Sequence, residues 1–132
     1  MFSRLRDQNE IMRCTNGTSL MGEIKLVYSD IVLAFGQPDD ADEYKISGEW
    51  VFYNSLTSEV YTLYDWKSTN LYDKFLPSVS KFRLDTKPQT FHIGGNRIGD
   101  VDEFILFLKQ KIQYAKVDKI FENEVLLSKI TD

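Results

Sequence analysis

The fold of this chain is decided by two runs of sequence, residues 44–53, YKISGEWVFY, and residues 59–67, EVYTLYDWK. Both runs are rich in aromatic and β-branched side chains, which favour strands, and a short polar link separates them. In each run apolar groups fall on even and on odd positions, so neither face of the resulting sheet is purely polar. We therefore expect one face to lie under helices and the other to be partly covered by a loop, a tail or a partner subunit.

The sequence before these strands predicts a hairpin and a short helix. Residues 10–15 and 18–26 flank Asn16-Gly17, a pair that favours a tight hairpin turn between strands. A helix of about two turns is predicted over residues 30–35, with Ser29 as its N-cap. Gly36 and Pro38 then end it.

The sequence after the two strands predicts a third strand and a long helix. Residues 89–93 have strand character, and a Gly-rich turn follows them. Asp100 and Glu103 form a capping-box pattern at the start of the helix. Apolar residues then recur at helical spacing as far as Ala115. Residues 117–132 either extend this helix or form a second one.

These elements predict an α+β fold, an antiparallel twisted sheet with a short helix and a long C-terminal helix on one face. We expect a single domain over residues 1–132, a size that is typical of one domain. Within it, residues 1–9 are expected to be a loosely ordered start, residues 68–88 a long loop, and residues 117–132 a helical tail.

Composition narrows the function classes. The chain has 132 residues, 42% of them hydrophobic, with 16 basic and 20 acidic side chains and a net charge of −4. An acidic chain argues against broad nucleic-acid binding, which needs a basic face. The single cysteine, Cys14, cannot form an internal disulfide, which favours a reducing compartment. The absence of a long apolar run predicts no association with a membrane.

The candidate ligand- or partner-binding residues are Tyr64, Trp66, Lys67, His92 and Arg97. Tyr64 and Trp66 share one side of the second strand, and Lys67 follows them, a pattern that suits a recognition platform. The alternative is a core Tyr and Trp beside a surface pair of Asp65 and Lys67.

His92 is the only histidine. A catalytic interpretation would pair it with Asp65 or Cys14, but a half-exposed strand residue is the simpler expectation.

Two loops could bind ions, and we expect that neither does. The run Gly94-Gly95-Asn96-Arg97 precedes a helix, which would suit an anion, but the acidic residues at that helix start oppose one. The acidic loop of Asp39, Asp40, Asp42 and Glu43 lacks the spacing of a calcium loop, so we interpret it as a solvated acidic loop. No metal and no cofactor are expected.

Five blocks of sequence, taken in order, resemble a family of small uncharacterised tailed-bacteriophage proteins. They are residues 18–22, TSLMG; residues 28–38, with Phe-Gly-Gln-Pro; residues 45–52, with Glu-Trp; residues 64–67, Tyr-Asp-Trp-Lys; and residues 91–95, Phe-His-Ile-Gly-Gly. The series spans about residues 18 to 112. The resemblance implies a phage accessory protein that acts in the host cytoplasm, and it transfers no active site.

The leading hypothesis is a non-enzymatic protein that binds and inhibits a host or anti-phage defence protein. One alternative is a sponge that sequesters a nucleotide or cyclic-oligonucleotide signal, and another is a small virion structural protein. An enzyme acting through His92 is the least favoured. A homo-oligomer is also expected, because the sheet and the tail with Ile120, Phe121, Leu126 and Leu127 offer much apolar surface.

Overall fold

The structure is a computed structural model that describes residues 2–41, 44–96 and 100–131. Its elements, in chain order, are β1 Phe2–Leu5, α1 Gln8–Thr15, β2 Ser19–Leu26, α2 Tyr28–Phe35, β3 Glu49–Asn54, β4 Val60–Tyr64, α3 Val79–Leu84, β5 Gln89–Gly95 and α4 Val101–Thr131.

The five strands form one antiparallel sheet in the order β1-β3-β4-β5-β2. The two aromatic runs supply its centre, because β3 pairs with β4 and β4 pairs with β5. Helices α2, α3 and α4 cover one face, so the predicted α+β architecture, with a short and a long C-terminal helix on one face, is confirmed.

The main core lies between that face and the three helices. Trp50 and Phe52 of β3 and Leu63 of β4 are fully buried in it, and Phe104 of α4 stacks on Tyr61 with ring centroids 4.5 Å apart. The remaining buried members are Phe2, Ile24, Tyr28, Ile31, Phe82, Phe91, Ile93, Leu108 and Ile112. This packing fixes the sheet as a rigid support for its other face.

The other face is half covered by α1, and here the predicted hairpin is wrong. Residues Gln8–Thr15 form a helix because Asp7 accepts hydrogen bonds from the N–H groups of Asn9 and Glu10 at 2.9 and 3.1 Å. Ile11 then packs on Val51 and Val60 of the sheet. Strand β2 pairs with β5 instead of with residues 10–15.

The chain start also differs from the expectation of loose order. Phe2–Leu5 forms edge strand β1, in register with Asn54 to Val51 of β3. Phe2 is buried against Tyr61 and Phe104, with ring centroids about 5.5 Å from each. Residues 2–5 are ordered by their pairing with β3 and by the burial of Phe2, and the polar sequence around them does not reveal either contact.

Helix α2 begins two residues earlier than predicted, so Ser29 lies in its first turn and does not cap it. Gly36 ends the helix as expected, with a φ of 85° that suits glycine. Arg4 donates to the carbonyl of Phe35 at 2.6 Å, and Arg6 donates to the same carbonyl at 2.9 Å. These contacts tie strand β1 to the end of α2.

The long connection after β4 contains helix α3, which Ser78 caps by accepting a hydrogen bond from the N–H of Lys81. Phe82 of this helix is buried in the main core. At the C-terminus, α4 continues without a break from Val101 to Thr131, so residues 117–131 extend the main helix.

Candidate binding site

Strand register places Tyr64 and His92 side by side on the sheet face that carries α1, in the part of that face that α1 leaves uncovered. Tyr64 of β4 pairs with Glu49 on one side and with His92 of β5 on the other, and His92 pairs in turn with Glu23 of β2. Side chains directly opposite each other on antiparallel strands share a face. The result is a cross-strand row with two rings in the middle and a carboxylate at each end.

Trp66 completes the group just beyond the end of β4. Its ring lies edge-on to Tyr64, with centroids 6.3 Å apart, and edge-on to His92 at 6.5 Å. Tyr64 and His92 are stacked at 5.9 Å with an angle of 25° between their planes. We call Tyr64, Trp66 and His92 the aromatic shelf; Trp66 is its most accessible member, 38% exposed.

Two lysines flank the outer ring of the shelf. The Nζ atom of Lys67 lies 5.4 Å from the centroid of the Trp66 ring and 4.9 Å from that of Tyr72. The Nζ atom of Lys45 lies 5.7 Å from Trp66. Both distances to Trp66 are within the range of cation–π attraction. This end of the shelf is therefore aromatic and cationic, whereas the far end of the row carries Glu23.

A buried carboxylate holds this end in place. Asp65 is 2% exposed, and it accepts hydrogen bonds from the N–H of Ser47 at 3.0 and 3.1 Å and from the N–H of Gly48 at 3.1 Å. Burial raises the pKa of Asp65, and the N–H groups of Ser47 and Gly48 oppose that shift. The alternative of a surface Asp–Lys pair is therefore wrong, because Asp65 is interior.

The backbone of Lys67 completes the junction. Its N–H donates to the carbonyl of Lys45 at 2.6 Å, and its φ of 54° lies in the left-handed region. A non-glycine residue is held there only when its surroundings determine it. The backbones of the two lysines are thus held next to each other beside Trp66.

His92 does not contact either partner that a catalytic interpretation requires. Its Nε2 atom lies 3.2 Å from a carboxylate oxygen of Glu23. Asp65 is occupied by backbone donors, and Cys14 packs with the small cluster of Ile11, Val51 and Val60. Among the described residues, His92 therefore contacts the Glu23 carboxylate at the edge of the shelf and forms no nucleophile–base pair.

A shallow recess of about 200 Å³ opens beside the shelf. The residues that line it include Leu20, Thr62, Tyr64, Trp66 and Gly94. A Cβ atom at Gly94 would lie 2.6 Å from Oγ1 of Thr62, so the recess depends on glycine at this position. Burial raises the pKa of Tyr64, and the nearby carboxylate of Glu49 raises it further.

The structure brings together four of the five candidate residues, namely Tyr64, Trp66, Lys67 and His92. Arg97 lies outside the described residues. Sequence reasoning missed Lys45 and Glu23. Glu23 lies opposite His92 because of the register between β2 and β5. Lys45 lies near Trp66 because Asp65 binds the nearby N–H groups of residues 47 and 48. Both contacts join distant parts of the sequence, so no local pattern identified them.

The two loops considered for ion binding have structural partners where they are described. Asp39 forms an ion pair with Arg4 at 3.4 Å, and Asn96 accepts a hydrogen bond from the N–H of Val60 at 2.9 Å. Asp42, Glu43 and Arg97 lie outside the described residues. In residues 2–41, 44–96 and 100–131, no three His, Cys, Asp or Glu side chains converge as metal ligands would.

Comparison with known proteins found no protein-family model that matches the chain and no curated protein that matches it. The resemblance to phage proteins therefore stays a prediction.

Within the described part of the chain, none of the helices has an apolar stretch long enough to cross a bilayer.

Proposed function

We propose that this chain is a non-enzymatic binding protein that recognises another protein through the aromatic shelf. The observation that carries the proposal is the surroundings of Trp66, which is partly exposed just beyond the end of β4. Two lysine ammonium groups and the rings of two other residues all lie within 6.5 Å of its ring. Tryptophan and tyrosine are enriched among the few residues that dominate the energetics of protein interfaces.

The shape of the shelf favours a protein partner over an enclosed small molecule. Pockets for small ligands usually measure about 300–1,000 Å³ and bury most of the ligand. The recess beside the shelf has a volume of only about 200 Å³ and is open. A surface of this kind suits one or two inserted side chains of a larger partner better than it suits a whole nucleotide.

The charges of the shelf indicate what the partner segment presents. Lys45 and Lys67 lie at the Trp66 end, and Glu23 lies at the His92 end. A complementary segment would place an apolar or aromatic side chain in the recess and a carboxylate near the lysines. Because the whole chain carries a net charge of −4, this attraction is local and depends on docking geometry.

The biological setting in this proposal is a tailed phage that infects a bacterium. The protein would act in the host cytoplasm, where it would bind and inhibit a host or anti-phage defence component. The support for this setting is the ordered series of sequence blocks, two of which, Tyr-Asp-Trp-Lys and Phe-His-Ile-Gly-Gly, contribute the shelf residues.

Site-specific photocrosslinking in bacterial cells tests the proposal. A photoreactive phenylalanine at position 66 is expected to capture a discrete protein. The same probe at Phe75 provides the control, because Phe75 is 87% exposed and also lies beside a lysine, Lys74, at 5.1 Å. Equal capture at both positions, or none at position 66, would contradict a role for the shelf.

A plating assay tests the anti-defence role separately. Expression of the wild-type chain should restore plaque formation on a strain that carries the sensitive defence system, and Trp66→Ala should abolish the rescue. Rescue by Phe75→Ala should remain at the wild-type level. Full rescue by Trp66→Ala would remove the shelf from the inhibitory mechanism.

A nucleotide-sequestering sponge is the second candidate, and the two cations beside the Trp66 ring favour it. A base could stack on Trp66 while Lys45 and Lys67 neutralise a phosphate. Thermal unfolding with mono-, di- and cyclic nucleotides separates the two functions. A ligand at 100 times its Kd should stabilise the fold by about 2.7 kcal/mol, whereas a protein-binding shelf predicts no shift.

A further inference from the structure

Helix α4 carries a second surface, on the side that faces away from the sheet. Its buried side chains, Phe104, Leu108 and Ile112, are four residues apart and share one face. At about 100° per residue, Val117 lies nine residues after Leu108 and therefore on the opposite side of the helix. Among the described residues, the outward side therefore carries none of the buried side chains that hold α4 to the sheet, although Leu106 and Gln110, near its start, line a recess together with Phe2 and Leu56.

The outward side has the spacing of a coiled-coil seam. Positions separated alternately by four and three residues run along it for three heptads, and we call them the outer stripe; they are Leu106, Gln110, Gln113, Val117, Ile120, Glu124 and Leu127. All seven are exposed, including Leu106 at 56%, Val117 at 51% and Ile120 at 59%. A stripe of this period favours pairing with another helix.

The second half of α4 is exposed to solvent, and its contact with α2 includes an ion pair between Lys116 and Asp30 at 3.3 Å. Ile112 is its last buried residue, and every residue from Lys116 to Ile130 is exposed. Residues 116–130 receive little stabilisation from the sheet, and a helical segment of about 12–15 residues is only marginally stable in water without packing. Large apolar side chains exposed on such a segment indicate a surface that a partner covers. Phe121 and Tyr114 widen the stripe on one side, at 65% and 62% exposure.

We infer that the outer stripe is a self-association surface, on which α4 of a second copy of this chain packs in antiparallel orientation. The polar positions within the stripe decide the orientation. A parallel pair in register would place the Glu124 carboxylates of the two copies together, and like charges withdrawn from water repel strongly.

An antiparallel pair relieves that repulsion. With the two-fold axis between Val117 and Ile120, Val117 of each copy faces Ile120 of the other at the centre. Glu124 of each copy then faces Gln113 of the other, whose side-chain amide can donate to the carboxylate. The two Glu124 carboxylates are thereby kept apart by the reciprocal pairing that a two-fold interface requires.

The length of the outer stripe limits the area that the two helices of the dimer can bury. The stripe from Leu106 to Leu127 is about 32 Å long at about 1.5 Å per residue. A contact one helix wide over that length lies near the lower end of the roughly 1,200–2,000 Å² that specific interfaces bury. We therefore expect a dimer that dissociates on dilution.

The aromatic shelf lies on the other face of the sheet, so this inference is independent of the proposed function.

Sedimentation equilibrium of the full chain over a range of concentrations tests the surface. The wild type should show a reversible monomer–dimer equilibrium, and Val117→Lys with Ile120→Lys should weaken it at least about tenfold. Leu126→Lys is the matched control, because Leu126 is 58% exposed and lies on the opposite side of the extension from Val117. A wild type that stays monomeric, or a double variant that dimerises as tightly as the wild type, overturns the inference. Circular dichroism checks that each variant folds.

Distance measurement between spin labels tests the orientation. A label at Lys129→Cys, in a Cys14→Ser background, points away from the stripe, because Lys129 lies nine residues after Ile120. The intermolecular distance should be about 40 Å in an antiparallel dimer, and about 20–25 Å in a parallel dimer, where the helix axes are about 8–10 Å apart. The short distance would contradict the antiparallel arrangement.

Discussion

Replacement of Asp65 by alanine tests how the shelf is built. The carboxylate of Asp65 is the acceptor for the N–H groups of Ser47 and Gly48, at 3.0 to 3.1 Å, in a buried setting. Alanine would leave both donors without this acceptor. A buried donor left unsatisfied costs about 1–3 kcal/mol, so we expect Asp65→Ala to lower the free energy of unfolding by roughly 2–4 kcal/mol.

Asp65→Asn is the graded comparison for the same site. It keeps Oδ1, which accepts from Ser47 and Gly48, but it replaces Oδ2 with an amide that cannot accept from Ser47. It also removes a charge whose burial is unfavourable, as the raised pKa of Asp65 indicates. The loss of stability should therefore be clearly smaller than for alanine.

Urea unfolding and amide hydrogen exchange measure the two effects. In the wild type the amides of Ser47 and Gly48 should be protected, and in Asp65→Ala they should exchange much faster. A change in unfolding free energy below about 0.5 kcal/mol, together with unprotected amides in the wild type, would refute the anchoring role.

Three further predictions concern the sheet and its charges. Gly94→Ala should lower the free energy of unfolding by about 1–3 kcal/mol in urea unfolding, because its Cβ would lie 2.6 Å from Oγ1 of Thr62; a second change, Thr62→Ala, should restore part of the loss. Burial raises the pKa of Tyr28 from 10.0 to about 12, so its contribution to stability is intact below pH 10 and decreases as the pH rises towards 12. Urea unfolding at several alkaline pH values should show that decrease, and Tyr28→Phe should reduce it; an unchanged slope would contradict the assignment. Trp66→Ala should lower the unfolding free energy by clearly less than the roughly 3–5 kcal/mol of a fully buried aromatic residue, since Trp66 is 38% exposed, and a loss as large as that would show that its role is structural.

The central strands and the long helix could be predicted from sequence because their signals are local. Aromatic and β-branched runs specify strands, and Asp100 accepts a hydrogen bond from the N–H of Asp102 at 2.9 Å at the start of α4, where the capping pattern placed it. Gly36 likewise ends α2 at the predicted position. These features depend on residues within one turn of each other.

The first helix could not be predicted in the same way. Asn16-Gly17 permits a positive φ, and Gly17 adopts one of 83°, but such a residue ends a helix as readily as it forms a hairpin turn. The choice was decided by Asp7, which caps the helix, and by the burial of Ile11 on β3 and β4. That burial depends on the assembled sheet.

The site was predictable only in part, for a similar reason. Tyr64 and Trp66 share a side because side chains alternate along a strand, and this follows from sequence. The neighbourhood of His92 depends on the register between β4 and β5, and that of Lys45 depends on the buried carboxylate of Asp65. Pairings between distant residues are set by the whole sheet, so a local pattern does not contain them.

The most direct test of the central claim is the affinity of the purified chain for the protein captured at position 66, measured by calorimetry. If the shelf is the binding surface, Trp66→Ala should weaken binding by at least about 2 kcal/mol, roughly 30-fold, as truncation of a central aromatic residue does. Phe75→Ala, an exposed aromatic residue beside a lysine but outside the shelf, should bind like the wild type. Equal affinities for wild type and Trp66→Ala would contradict the account.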